Sequence, residues 1–422
     1  MLKKLWETIV TAFKLPDLRK KILFTLLMLG IYRLGVYVPV PGVDVTRIQK
    51  SFSGGSADIL QLLNLFGGGA MKNFSIFFLG VNPYITASII MQLLGIVWPY
   101  LERLSKEGVE GRRLISQYTR YATILLAVIQ AVGFLTLFQQ EITPNTLSNK
   151  VMIVTILVAG SMFLMWLGEK ITELGIGNGV SLIIFAGIAS QFGAIFTGFA
   201  VMKDVEPWKP VPIFLSWLAI IAGIVFIQQA ERKIPVQYAK RVVGRKMYGG
   251  QTTHIPMRIN QAGVIPIIFA NAVVMFPAQM AGIFPQKIEN WITTWFGYGA
   301  PLNILAEAIL VFFFTFFYTA VSFNSAEVAD NMKKYSGFIP GIRPGKPTAE
   351  YLERVLERIT FVGALFLVAL TTTPFLAWIF KLRTASYLLG GTGLLIVVGV
   401  ALDTMKQIES HLLLRQYQGF LK

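Results

Sequence analysis

The chain of 422 residues contains no cysteine and only two histidines, His254 and His411. Disulfide bonds, thiolate metal ligands and thiol nucleophiles are therefore excluded. Both histidines fall in polar segments outside the long apolar runs, so no histidine is available for a metal site or a catalytic triad within those runs. Neither an HExxH motif nor a Walker loop is present. The sequence predicts no catalytic residues, no metal site and no cofactor.

Charged residues are also scarce, at 14% of the chain, whereas a soluble protein carries about a quarter. No Asp or Glu lies in the middle of a long apolar run, and Glu307, Glu327 and Asp403 lie near the ends of such runs. Proton- and sodium-coupled transporters usually keep carboxylates within the membrane. This absence argues against a solute transporter, and the lack of catalytic residues argues against an intramembrane enzyme. Both remain open alternatives at this point.

Apolar runs dominate the sequence, with 54% hydrophobic residues and a mean hydropathy of +0.61. Several runs are long enough to cross a bilayer. We therefore predict an all-α polytopic membrane protein with ten transmembrane helices. The predicted spans are 22–40, 75–97, 116–138, 151–168, 180–200, 211–228, 263–284, 302–323, 359–380 and 385–402. The first span follows a basic amphipathic segment, 1–21, typical of a helix lying on anionic lipid, and lacks a small-residue cleavage site, so we interpret it as retained.

Lys and Arg are distributed unevenly between the two sides that these spans define. With the N-terminus inside, 28 of the 38 Lys and Arg residues lie in inside segments and nine in outside segments. This bias predicts that both termini are cytoplasmic. Ten spans divide into an N-terminal half, 1–200, and a C-terminal half, 211–422, joined by an external connector, 201–210. Because five is odd, the second half must run in the opposite sense to the first, as in an inverted repeat with a path between the halves.

Two of the inside loops are too long to be simple connectors. The loop 229–262 alternates apolar and polar residues and carries a Gly-Gly turn, which predicts a small hairpin. The loop 324–358 has a turn-rich tip, SGFIPGIRPGKPT, followed by a charged helix, AEYLERVLERI. Exposed cationic loops of this kind suit docking to RNA or to an acidic protein surface. The alternative is that their charge only sets the topology.

A short apolar segment, 57–66, precedes the second span and ends at Gly67, Gly68 and Gly69. Ten helical residues span about 15 Å, half the hydrocarbon thickness. A half-helix at membrane depth survives only where protein or a water-filled cavity surrounds it. The segment is therefore either an amphipathic connector on the membrane surface or a movable stopper beneath a pore.

Two further features interrupt the pattern of spans. The sequence GIGNG at 175–179 resembles a dinucleotide-binding fingerprint, but no predicted strand precedes it, so we interpret it as a backbone break between the fourth and fifth spans. Arg33 is the one charge well inside a span. We expect it to extend toward the outer surface or to contact a neighbouring carbonyl, in either case as a structural residue.

Seven motifs, in order along essentially the whole chain, together resemble the SecY family of protein-conducting channels. They are GVYVPVPG at 35–42, NPYITASII at 82–90, GIGNGVS at 175–181, YAKR at 238–241, AGVIPIIF at 262–269, PGIRPG at 340–345 and LGGTGLLI at 389–396. The resemblance implies a passive channel that passes unfolded secretory polypeptides across the bacterial cytoplasmic (inner) membrane. It also implies ten spans in two inverted halves around an hourglass pore.

Motif by motif, the resemblance implies three groups of residues in the membrane. The waist of the pore would be a ring of isoleucines: Ile85, Ile89, Ile184, Ile188, Ile268 and Ile396. The segment 57–66 with its glycines would be a plug: Ile59, Leu60, Leu63, Asn64, Gly67, Gly68 and Gly69. A lateral gate that releases transmembrane segments into lipid would carry polar side chains able to hold it closed by interhelical hydrogen bonds: Thr86, Ser88, Gln92 and Asn271.

The resemblance also implies partners. The two inside loops would dock the ribosome, through its RNA and proteins, and the SecA motor ATPase, with Arg241, Arg245 and Arg343 as principal contacts. A guanidinium suits both phosphate and carboxylate groups. Other implied partners are the small membrane subunits SecE and SecG, signal sequences and nascent polypeptides, and membrane lipid.

Overall fold

The computed structural model describes residues 13–51, 64, 67–193, 210–238, 241–243, 246–248, 252–280, 287, 291–292, 294–295, 300–373 and 391–419. Most of this part of the chain is helical. The helices are α1 Pro16–Gly35, α2 Val45–Ser51, α3 Asn82–Val97, α4 Pro99–Lys106, α5 Val109–Leu137, α6 Leu147–Leu174, α7 Gly179–Ser190, α8 Pro210–Gln229, α9 Ile265–Met280, α10 Pro301–Ser322, α11 Ser325–Lys334, α12 Lys346–Thr371 and α13 Gly391–Gly419.

Within the described residues, four helical segments are long and apolar enough to cross a membrane: Val109–Thr136, Leu147–Leu174, Leu302–Lys334 and Gly391–Leu413. A fifth is counted if α3 and α4, which meet at an angle of 99°, form one broken span. Shorter apolar helices lie at Gly179–Ser190, Phe214–Gln229 and Ile265–Val274. Helix α1 is not among them because Arg19, Lys20, Lys21 and Arg33 make it too highly charged. The structure thus has several apolar helices, and the count of ten stays a prediction.

Two predicted boundaries were wrong. The second span does not begin as a helix at residue 75, because residues 76–81 form turns, Gly80 adopts a left-handed φ of +59°, and α3 starts only at Asn82. The first span ends as a helix at Gly35 rather than at residue 40. The charged helix predicted in the loop 324–358 continues without a break into the predicted ninth span, as the single helix α12. Residues 194–200, 201–209, 281–284, 374–380 and 385–390 of the predicted spans and connector lie outside the described residues.

The long polar loops form a small β-structure, which includes the predicted hairpin. Strands β1 Glu231–Tyr238 and β4 Thr252–Arg258 pair antiparallel with Ile234 opposite Ile255, and β5 Gly337–Phe338 from the second loop adds to the other edge of β1. Between β1 and β4 in sequence, β2 Arg241–Val243 and β3 Lys246–Tyr248 form a two-stranded sheet. Apolar side chains of the sheet, including Ile234 and Val236, pack against α12 in a separate core.

The main apolar core joins helices from both ends of the chain. Helix α9 contacts α3 and α5, and α13 contacts α7 and α8. Consecutive helices such as α5 and α6 or α9 and α10 also pack together. Because these contacts bring α3, α7, α9 and α13 around one axis, residues far apart in sequence meet at the centre of the bundle.

Candidate functional site

A cavity of about 50 Å³ lies where helices α3, α7, α9 and α13 meet. Each helix contributes one isoleucine to its wall: Ile85, Ile184, Ile268 and Ile396. Four of the six predicted ring residues therefore surround one small apolar space. Ile85, Ile184 and Ile396 are each at most 9% exposed.

The other two predicted ring residues lie beside this cavity. Ile89 and Ile188 are one helical turn beyond Ile85 and Ile184, on the same faces of α3 and α7. Both are buried in the apolar cluster that contains the residues lining the cavity, but neither lines it. Each of the four helices thus contributes one isoleucine to the cavity wall, and on α3 and α7 a second isoleucine packs one helical turn away.

The predicted gate residues divide into two pairs. Thr86 and Asn271 line the apolar cavity, whereas Ser88 and Gln92 do not. The hydroxyl of Thr86 donates to the backbone carbonyl of Asn82 at 3.0 Å, and the amide of Gln92 lies 3.5 Å from the Ser88 hydroxyl. Both hydrogen bonds join residues of α3 to each other, so neither connects α3 to another helix.

The glycine hinge, which we define as Gly67, Gly68 and Gly69, borders the same cavity through Gly67. Two side chains of α1 donate to its backbone: the Tyr32 hydroxyl to the Gly67 carbonyl at 3.1 Å, and the Arg33 Nη1 to the Gly68 carbonyl at 2.6 Å. Of the predicted plug residues, Asn64 and the three hinge glycines are described. Ile59, Leu60 and Leu63 lie outside the described residues.

A larger, polar vestibule of about 460 Å³ opens on the side of the β-structure. Its wall includes charged and amide side chains: Arg258, Asp403, Lys406, Gln407, Asn178 and Asn260. Ile268 lines both this vestibule and the apolar cavity. The two spaces therefore share one wall residue, with the larger polar space on one side of Ile268 and the small apolar one on the other.

The glycine turn, which we define as residues 175–179, joins α6 to α7, as predicted from its sequence. The Ile176 N–H donates to the Thr25 hydroxyl at 3.1 Å, and the Gly177 N–H donates to the Gln407 Oε1 at 2.8 Å. The side chain of Asn178 caps α7 by accepting from the Ser181 N–H at 3.1 Å. The turn is thereby attached to α1 and to α13 at once.

The predicted docking residues are only partly described. Arg343 is exposed at the tip between β5 and α12, and its backbone carbonyl accepts a hydrogen bond from the Thr348 hydroxyl at 2.8 Å. No carboxylate lies within 4.0 Å of its guanidinium in the part of the chain that the structure describes. The backbone of Arg241 lies in β2, and nothing of its side chain is described; Arg245 lies outside the described residues.

Sequence reasoning missed three residues that touch these sites: Tyr32, Thr25 and Gln407. Each bonds to a backbone group of a glycine-rich segment at least 35 residues away. The only signal in the sequence was the glycine clusters themselves. A side chain that bonds to a backbone group does not require a particular residue type at that backbone position, so the pair cannot be recognised from the sequence.

Comparison with known sequences places these features in one family. The SecY family model matches residues 75–405 of the chain. The protein translocase subunit SecY of Halalkalibacterium halodurans is 47% identical, covering 99% of this chain and 100% of its own length. The subunits of the same name from Thermus thermophilus and Thermotoga maritima are 46% and 43% identical, covering 100% and 99% of this chain and 98% of each of their own lengths.

Two solved structures share the fold at low identity. One, of a protein-conducting channel, matches with a TM-score of 0.65 at 19% identity, covering 95% of this chain and 96% of its own. The other, Sec61 in the canine ribosome-channel complex from the endoplasmic reticulum, matches with a TM-score of 0.64 at 18% identity over the same shares of the two chains. At this level of identity, the two structures show only that the arrangement of the helices is similar.

Proposed function

The chain belongs to the SecY family, and on that premise we propose that Ile85, Ile184, Ile268 and Ile396 form the constriction of a polypeptide pore. The protein is a protein-conducting translocation channel of a bacterial membrane, which it crosses several times, and it is not an enzyme. The observation that carries the assignment of these residues is the single small apolar cavity that they surround.

The geometry suits a channel that must pass chains and retain ions. A narrow apolar neck tends to lose its water, which blocks ions, yet it offers a passing polypeptide no group to bind tightly. The polar vestibule of about 460 Å³ is wide enough to collect a chain ahead of the neck of about 50 Å³. Ile89 and Ile188 back the neck in the same apolar cluster and complete the proposed ring.

The proposed membrane arrangement is ten spans in two inverted halves, 1–200 and 211–422, joined by an external connector at 201–210. Both termini lie in the cytoplasm, and the membrane is the cytoplasmic (inner) membrane. The uneven distribution of Lys and Arg supports this orientation. The proposed plug is 57–66, and the position of Gly67, directly after it, at the wall of the apolar cavity supports this assignment.

The proposed lateral gate lies where α3 and α5, of the second and third predicted spans, meet α9 and α10, of the seventh and eighth. Helices α3, α5 and α9 contact one another, and the polar side chains of Thr86 and Asn271 line the same cavity from α3 and α9. Separation of α9 and α10 from α3 and α5 opens a path from the neck to lipid. Signal sequences and transmembrane segments of nascent polypeptides leave by this path, and Ser88 and Gln92 on α3 are the other two proposed gate residues.

The proposed docking surface is formed by the loops that carry Arg241, Arg245 and Arg343. The exposed position of Arg343 and the sheet that joins the two loops support this role. Sec61 is found in a ribosome-channel complex. The partners we propose for this chain are the ribosome, the SecA motor, and the small membrane subunits SecE and SecG.

Crosslinking of a stalled secretory chain tests the constriction. Because the protein has no cysteine, a single cysteine at position 85, 184, 268 or 396 is the only thiol present. A translocating chain arrested in the channel and carrying one thiol-reactive residue should crosslink to all four positions. A cysteine at Leu27, which is 60% exposed on the outer face of α1, is the matched control and should give no crosslink.

The result that contradicts the proposal is an arrested chain that reaches the far side without contacting any of the four positions. Saturable binding of a small solute at the neck, with no effect of an arrested polypeptide on it, would favour the solute transporter instead.

A further inference from the structure

Two adjacent side chains of α1 bond to the glycine hinge. The Tyr32 hydroxyl donates to the Gly67 carbonyl, and the Arg33 guanidinium donates to the Gly68 carbonyl. We propose that Tyr32 and Arg33 are positioning residues that act as a clasp: they hold the hinge, and with it the plug, in the closed channel, and their release sets how readily the channel opens. This inference rests on the proposed role of 57–66 as a plug.

Among the described residues, Arg33 has few other partners for an ion pair or a hydrogen bond. It lies about 26 Å along α1 from Pro16, within the predicted first span. No carboxylate lies within 4.0 Å of it among the residues the structure describes, and its other contact is Tyr37, whose hydroxyl accepts from Nη2 at 2.7 Å. A charged donor makes a hydrogen bond about twice as strong as a neutral one. The bond to the Gly68 carbonyl is therefore the stronger half of the clasp.

Tyr32 is held in place by its ring contacts, and the hinge that it bonds consists of glycines in left-handed conformations. Its ring is 2% exposed and stacks on Phe77 at 6.1 Å, and Phe77 stacks in turn on Phe163 of α6 at 5.9 Å. The phenol is thus anchored in the packed bundle. The hinge has Gly68 and Gly69 at left-handed φ values of +63° and +95°, which glycine adopts without strain.

Asn64 is hydrogen-bonded both to the hinge and to the turn that follows it. The Asn64 carbonyl accepts from the Gly69 N–H at 2.9 Å, and the Asn64 Oδ1 accepts from the Lys72 N–H at 2.9 Å. Across the described residues, Asn64 and the three glycines are hydrogen-bonded to another helix through Tyr32 and Arg33. We therefore expect loss of the clasp to loosen Asn64 and the hinge together.

The test compares Arg33→Gln and Tyr32→Phe with wild type in proteoliposomes. Resting ion conductance and translocation of a precursor with a weakened signal sequence are measured together. We expect both to rise about tenfold for Arg33→Gln and a few-fold for Tyr32→Phe, which keeps the ring and removes only the hydroxyl. Tyr37→Phe is the matched control, because it removes the other partner of Arg33 and leaves the bond to Gly68; it should behave as wild type.

Deletion of 57–66 separates the clasp from the plug itself. If the deletion leaves resting conductance unchanged, the proposed plug fails, and the clasp fails with it. If the deletion leaks but Arg33→Gln and Tyr32→Phe match wild type, the clasp alone is overturned. A rise that persists undiminished when Arg33→Gln is combined with the deletion also overturns it, because Arg33 would then act elsewhere. Should Arg33→Gln fail to fold, Tyr32→Phe and the rate at which a cysteine at position 64 reacts with an impermeant thiol reagent decide the question.

Discussion

The glycine hinge and the glycine turn are both bonded to the same helix, α1, in opposite ways. At the hinge, Tyr32 and Arg33 donate to backbone carbonyls. At the turn, Thr25 accepts from a backbone N–H, and Gln407 of α13 accepts from the next one. One segment is therefore held by a single helix, and the other by two helices from distant parts of the chain.

The hinge and the turn also differ in how they pack. Ile176 of the turn is buried in a cluster with Leu18 of α1, against which Ile408 and Leu412 of α13 also pack. The hinge instead borders a cavity, and Gly68 lies close enough to α7 that an added Cβ would be 2.7 Å from the Gly187 Cα. Two glycine clusters are thus held differently: the turn by bonds to two helices and a buried apolar cluster, and the hinge by two hydrogen bonds from one helix beside a cavity.

The largest expected effect comes from Gly179→Ala in the turn. A Cβ at this position would lie 1.9 Å from the Gly168 carbonyl oxygen and 2.8 Å from the Ile171 Cβ, so α6 and α7 must separate. Such overpacking costs about 1–3 kcal/mol or more. We expect the thermal unfolding midpoint of the purified protein in detergent to fall by several degrees.

Gly30→Ala is the control for this substitution. Gly30 lies in α1, where an added methyl group would have no other atom within 4 Å, and alanine favours a helix over glycine. Its midpoint should stay the same or rise. A Gly179→Ala midpoint equal to that of wild type would mean that the turn is not the rigid junction described above.

The next effect concerns the hinge, and it should appear in conductance more than in stability. Gly68 and Gly108, the residue directly before α5, both have a left-handed φ, +63° and +77°, so alanine costs each position about 1–2 kcal/mol of backbone strain. At Gly68 the Cβ would also meet another segment, 2.7 Å from the Gly187 Cα, whereas at Gly108 it would have no such atom within 4 Å. We expect Gly68→Ala to raise resting conductance in proteoliposomes, and Gly108→Ala to lower the unfolding midpoint without a leak. Equal leaks in both variants would contradict a specific role for the hinge.

Much of this arrangement was predictable from sequence, and the errors have physical causes. The resemblance of motifs placed Ile85, Ile184, Ile268 and Ile396 on one ring, and four helices bring them to one cavity. No single isoleucine could be distinguished from a packing residue by its own pattern. The start of the second span was wrong because apolar composition reports burial and not helix, and residues 76–81 are buried as turns.

The clasp was not predictable for a different reason. Arg33 stood out as a charge within a span, and contact with a carbonyl was one of two expected outcomes, which the structure confirms. The identity of that carbonyl depends on how the chain between α1 and α3 folds back.

The smallest expected effect gives the sharpest contrast between the two segments. Thr25→Val keeps the shape of the side chain and removes the acceptor of the Ile176 N–H, just as Tyr32→Phe removes one donor at the hinge. Each change deletes one hydrogen bond from the same helix, worth about 1 kcal/mol.

At the turn, the remaining bond to Gln407 and the buried cluster keep the junction in place. We therefore expect Thr25→Val to lower the unfolding midpoint slightly and to leave resting conductance unchanged, whereas Tyr32→Phe changes conductance and hardly alters the midpoint. The same pair of measurements on both variants checks this, and a leak in Thr25→Val as large as that in Tyr32→Phe would show that the two segments respond to one shared motion of α1.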